Sequence, residues 1–291
     1  MSLLLDPFAV AFVQRALLGG ALVAVVCGVV GTWVVLRGMA FLGEAMAHGM
    51  LPGVAVATLV GFPPMAGAAV SAAAMSIGVG VLQRRGRLSA DTSIGLLFVA
   101  SLSLGIIVIS ASRSFATDAS AILFGDILAI GAGDLLALGV ALAVTLVVAA
   151  LGHRAFVALT VDPRQAQLLG LRPRAAHVVL VGLVTLAVVS AYQAVGSLLV
   201  VGMLLGPAVA AGRWTRRIVP TMVLAAAIGI VSVAAGLLLS WHLATAAGAT
   251  VAFTAICSGA VSTGIHALLG ALRRPHADAL PTLPTFPERT A

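Results

Sequence analysis

Lysine is absent: all 16 basic residues of this 291-residue chain are arginine. A phosphate-cradling P-loop needs the lysine of its G-x-x-x-x-G-K-[ST] motif, so the chain is not itself an ordinary P-loop ATPase. Schiff-base chemistry needs the same amine and is excluded with it. Charge of any kind is scarce. Asp, Glu, Lys and Arg make up 9% of the chain, against about 25% in a soluble domain. Cysteine is nearly missing: Cys27 and Cys257 are the only two, and both lie in apolar stretches. That leaves no disulfide framework and no zinc-cluster spacing. The start, residues 1–7, lacks the basic segment and cleavage site of a signal peptide. The first apolar run is therefore expected to stay on the protein.

What is present is apolar. Hydrophobic residues account for 61% of the chain, against ~45–50% in soluble domains, and mean hydropathy is +1.18. A water-soluble fold of this size cannot hide so much apolar surface, so the solvent for most of the chain is lipid. The expected fold class is all-α: a polytopic membrane helical bundle with eight or nine spans. Each crossing needs about 20 apolar residues. Such runs fall at 8–36, 39–60, 65–82, 93–109 and 135–151, then at 218–240 and 248–272. Residues 177–211 are too long for one simple crossing. They carry two expected breaks, Gln193–Gly196 and Gly206-Pro207, so two crossings or one crossing plus a re-entrant piece are expected.

The net charge of +7 does not point to nucleic acid, because the arginines stand singly or in short clusters between apolar runs. That spacing reads as topology signals. Placing Arg37, the Arg84-Arg85-Gly86-Arg87 cluster, residues 153–175, Arg213–Arg217 and Arg273-Arg274 in the cytoplasm lets the spans alternate, provided 176–211 crosses twice. The more acidic 113–134 stretch, with Asp118, Asp126 and Asp134, then lies outside. The domain reading is a membrane domain over 1–272 and a disordered cytoplasmic tail over 273–291, rich in proline. Small-residue spacings Gly49-x-x-x-Gly53 and Gly202-x-x-x-Gly206 suit close helix packing in lipid.

The informative residues are those costly to bury. Glu44 and His48 lie early in the second span, four residues apart and so on one helix face. Ionisable groups at membrane depth usually face a cavity or a partner. A carboxylate oxygen and an imidazole nitrogen on one face make half of a divalent-cation site. Two copies of the subunit could supply the whole. Pro52-Gly53 just beyond is expected to break the helix and expose carbonyl oxygens. A Glu–His hydrogen bond that only packs the helix, and a proton relay, are the other readings. Met46 and Met50 nearby read as packing. Asp91 reads as the cap of the fourth span. His242 sits in a Ser240-Trp241-His242 turn, expected outside. His153, His177 and His276 read as solvated span-flanking or tail residues, and His266 as a possible packing histidine.

The stretch from Thr160 to Arg174 has helical grammar. Asp162 suits an N-cap, Pro163 the first helical position, Gly170 the end, and Pro173 stops any extension. A helix of about two turns results, near 162–170, with Ala166 and Gly170 offering a small-residue surface to another protein.

Several motifs in order carry a resemblance. They are Leu36-Arg-Gly-Met-Ala-Phe-Leu-Gly-Glu-Ala-Met-Ala-His-Gly-Met-Leu-Pro-Gly53, Asp91-Thr-Ser-Ile-Gly95, Leu123-Phe-Gly-Asp-Ile-Leu128, the Asp162–Gly170 segment, and Gly196-Ser-Leu-Leu-Val-Val-Gly-Met-Leu-Leu-Gly-Pro-Ala208. Together they resemble the integral-membrane permease family of ABC importers for zinc, manganese and iron. The resemblance implies a homodimeric permease of the larger multi-span type in a bacterial cytoplasmic (inner) membrane. It also implies a separate ABC ATPase subunit on the cytoplasmic face and an extracytoplasmic metal-binding protein that delivers the cargo. No cofactor would be held permanently; the metal is transported. In that family an acid and a histidine four apart line the pathway near an external gate, and Glu44 and His48 match them. Asp162, Ala166 and Gly170 match the helix that couples to the ATPase. The family's aspartate and proline after a Ser-aromatic turn have no counterpart in residues 244–247. The expectation is ATP-driven uptake of a divalent transition metal, zinc before manganese or iron. The rival is a proton-coupled secondary transporter. An intramembrane metalloenzyme lacks the H-E-x-x-H spacing.

Overall fold

The computed structural model describes residues 10–85, 89–110, 127–168 and 170–272. The proline-rich tail with His276, the Gly86-Arg87 end of the basic cluster, Asp118, Asp126 and most of the acidic loop lie outside the described residues. Within them, eleven α-helices and one short 3-10 turn form the fold, and no strand occurs. The helices are α1 (Ala11–Leu36), α2 (Ala40–Gly49), α3 (Leu51–Val60), α4 (Pro64–Arg85) and α5 (Ala90–Ser110). After the Ile127–Ala129 turn come α6 (Ala132–Val161), α7 (Pro163–Leu168), α8 (Pro173–Val195), α9 (Ser197–Gly212), α10 (Ile218–Leu243) and α11 (Ala247–Leu272).

Among the described residues, eight stretches are long and apolar enough to cross a membrane, with α2 and α3 together counting as one. Helix α9 has 16 residues. At 1.5 Å per residue it reaches about 24 Å, less than the ~30 Å hydrocarbon core. Eight or nine spans therefore becomes eight full-length spans and one short apolar helix. The most enclosed are α1 and the α2–α3 span, and α1 packs against α6, α8, α9 and α10. Large apolar side chains such as Val70, Ile107, Leu151 and Phe253 point outward. In water that surface would be a liability, whereas in lipid it is the solvated face.

Helix contacts are set by small residues, as lipid requires. Gly53 and Gly67 bring α3 and α4 together so closely that a Cβ on either would strike the other's carbonyl. Gly206 lies in the same way against the Ala255 carbonyl of α11, and Gly49 against Met75. Both small-residue spacings expected to pack helices do so.

Three boundaries differ from the expectation. The polar stretch 153–175 is mostly helix, because α6 runs unbroken to Val161 and stops only at Asp162. No breaker precedes Pro163, so scattered polar side chains do not end the helix. The break in 177–211 is single. Gly196, with φ 80° and ψ 167°, separates α8 from α9, while Pro207 sits inside α9 rather than breaking it. Finally, Ser89 rather than Asp91 caps α5. The Ser89 hydroxyl accepts from the Thr92 N–H at 3.1 Å, and Asp91 sits in the first turn, where a carboxylate suits the helix dipole.

Candidate functional site

The second span is broken where the sequence places its helix breakers. Helix α2 ends at Gly49 and α3 begins at Leu51, with Pro52 in the first turn. The break comes two residues before Pro52, because a proline is accommodated at a helix start. Interrupting the helix frees carbonyls at this depth. The Gly49 carbonyl does not open onto a cavity: it accepts from the Ser71 hydroxyl at 2.7 Å.

On α2 the Glu44 and His48 side chains meet, with His48 Nε2 3.2 Å from Glu44 Oε1. The histidine side chain is 14% exposed and the carboxylate 39%. The ring of His48 lies edge-on to Phe98 of α5, centroids 5.5 Å apart, and Phe98 in turn contacts Phe41. His48 Nδ1 is buried and finds no partner among the described residues. Two atoms 3.2 Å apart can both sit about 2.1 Å from one ion, at about 100° to each other, once the proton between them is displaced. The pair is thus pre-spaced as adjacent ligands. Among the described residues no group of three or more His, Cys, Asp or Glu side chains gathers. A single chain offers two such donors here, and a full coordination shell needs others.

Around α2 the neighbours are soft or hydroxylic. Met46, Met50 and Met75 are buried. Ser76 donates to the Met46 sulfur at 3.6 Å and shares a hydrogen bond with Thr185 at 3.0 Å. These contacts tie α2 to α4 and α8, and the methionines serve packing as expected. Along the span, the pair stands nearer the Arg37 end than the Gly61 turn.

Within the 162–170 segment, Pro163–Leu168 forms helix α7. Its end is a Schellman motif: Gly170, at φ 72°, donates to the Gln167 carbonyl and Leu171 to the Ala166 carbonyl, both at 3.0 Å. The Asp162 carbonyl accepts from Ala166 N–H at 3.0 Å. One expectation needs correcting. Ala166 is fully buried against its own chain, so it offers no surface, whereas Leu168 is 88% exposed and Val161 74%. The methyl of Ala166 fits the narrow space under α7, and the turn of the helix sends Leu168 outward.

Two histidines read as solvated, His153 and His177, are only partly exposed. His153 lies edge-on to Trp33 at 5.8 Å, and His177 is partly buried with Nδ1 unpartnered among the described residues. His266 packs against Trp214 at 5.8 Å. His242 is exposed and belongs to the last turn of α10, which ends at Ala244 with φ 51°. Sequence reasoning missed the Phe98 contact, the Ser71 cap and the Arg37 contact described below. All three are tertiary, and only Arg37, a lone charge between two spans, left a mark in the sequence.

The fold defines a class: a polytopic helical membrane protein with an interrupted second span that carries the Glu44–His48 pair. The chain belongs to the ABC 3 transport family, whose model matches residues 9–262. It is 38% identical over 244 residues to the manganese transport system membrane protein MntC of Listeria monocytogenes, covering 84% of this chain and 87% of that one. It is 32% identical to the chelated iron transport system membrane protein YfeD of Yersinia pestis, covering 85% and 83%. Its structure resembles PsaBC from Streptococcus pneumoniae, solved in complex with Fab, with a TM-score of 0.80 and 31% identity over 89% of this chain and 94% of that one. Membership makes this chain the membrane-embedded permease subunit of an ABC importer, sited in the bacterial cytoplasmic membrane. It is not an enzyme. Hydrolysis of ATP belongs to a separate subunit, and a solute-binding protein presents the cargo.

Proposed function

We propose that this permease carries manganese into the cell through a homodimer, with Glu44 and His48 of each copy as the transient ligands. The observation that carries the reading is the 3.2 Å carboxylate–imidazole pair on the broken span. The relatives' names move the cargo from the zinc expected on the sequence to manganese, with iron second. The chemistry agrees, since carboxylate oxygen suits manganese and imidazole suits several first-row metals. A second copy would complete the ligand set that one chain leaves half-built. Such a site must hold its ion weakly, because a closed tight site would trap it.

Helix α7, between the membrane domain's sixth and eighth helices, is read as the docking element for the ATPase, with Asp162 and Gly170 fixing its ends. Ala166 supports it from beneath, and exposed Leu168 supplies the apolar contact. The remaining boundary reading keeps residues 1–272 as the membrane domain and 273–291 as a cytoplasmic tail.

The test is uptake of radioactive manganese by proteoliposomes holding the permease and its ATPase. Glu44→Gln and His48→Ala should each lower uptake by about a hundredfold while the complex still assembles, since even outer-shell partners of a metal cost 10–100-fold. Wild-type uptake in both variants would end the reading. Zinc uptake exceeding manganese under equal conditions would restore the first expectation of cargo.

A further inference from the structure

Pro163 begins α7 and has no N–H, so the Leu159 carbonyl, four residues back in α6, loses the donor a continuing helix would provide. That carbonyl belongs to the last turn of α6, where helix carbonyls lack internal partners and carry the negative end of the dipole. It is not left bare. Arg37 Nη1 donates to it at 3.4 Å from 122 residues away in the chain. The contact is partly buried, and Leu159 itself is 5% exposed.

Arg37 stands at a second tight joint. Gly38, at φ 64°, donates to the Val35 carbonyl at 3.1 Å and Met39 to the Val34 carbonyl at 2.9 Å. This is a Schellman closure of α1, and α2 starts directly after it at Ala40. Glu44 follows about two helical turns after Arg37. One turn before the joint, Trp33 packs edge-on to Phe156 at 5.5 Å and to His153 at 5.8 Å, both on α6. The end of α6 and the α1–α2 joint are thus held by a ring cluster and a charged hydrogen bond. Arg37 Nε is buried with no partner among the described residues, so the guanidinium spends its ordered contact on Leu159.

We infer that Arg37 is a positioning residue that couples the Pro163–Leu168 helix to the Glu44/His48 helix, by holding the carbonyl that Pro163 orphans. Movement of α7 pulls on the end of α6, and the guanidinium passes that displacement to the α1–α2 joint. The inference rests on the docking reading of α7. It needs one donor on a charged group, so lysine can keep the bond and methionine cannot.

The experiment measures manganese taken up per ATP hydrolysed, in proteoliposomes of the full permease–ATPase complex. Arg37→Met is expected to assemble and hydrolyse ATP but to lower that ratio about tenfold, within the range seen for coupling residues. Arg37→Lys is expected to keep half of the ratio or more. An unchanged ratio in Arg37→Met, or an equal fall in both variants, overturns the coupling role. Should Arg37→Met fail to assemble, Arg37→Leu, which also lacks a donor, replaces it with the same expected fall and the same overturning result. Leu168→Asp separates this inference from the docking reading. If it leaves ATPase binding intact, α7 is not the docking element. If binding is lost while Arg37→Met transports normally per ATP, docking stands and the coupling role of Arg37 falls.

Discussion

At the scale of single residues, cost decides what is informative. Glu44 is the only acidic residue within the first four spans that is not at a helix start, and His48 is its neighbour one turn on. Lipid solvates such groups poorly, and that cost is what supports the ligand role proposed for them. This pair was legible from spacing alone, since four residues on a helix fix one face. Its packing was not. Phe98 arrives from α5, which no local rule connects to His48. Gly196 makes a sharper residue-scale prediction. Its φ of 80° with ψ of 167° lies where only glycine is comfortable. Gly196→Ala is expected to destabilise the permease by about 1–3 kcal/mol, read as a lowered unfolding temperature in detergent. An unchanged temperature would mean that the α8–α9 joint relaxes without strain.

At the scale of elements, apolar length gave the spans, and punctuation gave most joints. Proline was informative at Pro52, which stands in the first turn of α3 just past the expected break, and misled at Pro207, which lies within α9. A proline's missing donor matters only where a carbonyl waits for it, and a single chain of letters does not show which neighbour can take that carbonyl over. Arg37 does so for Leu159, while Ser71 takes up the Gly49 carbonyl at the break between α2 and α3. The α3–α4 crossing supplies an element-scale prediction. A side chain at Gly67 must displace the Gly53 backbone. Gly67→Val should cost about 1–3 kcal/mol by overpacking and should lower the thermal stability of the assembled complex. Gly80, where a Cβ meets nothing within 4 Å, is the control: Gly80→Ala should leave stability unchanged.

At the scale of the whole molecule, the proposed mechanism rests on two elements. One is the Glu44–His48 pair on a broken span, proposed as half of a site. The other is a short capped helix between long spans, with Leu168 presented outward. Composition foretold a polytopic membrane protein that is not itself a P-loop ATPase, and the importer class came from the resemblance of its motifs. The cargo was not legible. Carboxylate and imidazole serve zinc and manganese alike, and the preference for manganese comes from the relatives. The most direct measurement is manganese uptake by proteoliposomes of the permease with and without its ATPase, in wild type and in Glu44→Gln. The account predicts uptake only with the ATPase and ATP, and a loss of about a hundredfold in the variant. Uptake by the permease alone, driven by a proton gradient, or undiminished uptake in Glu44→Gln, would contradict it.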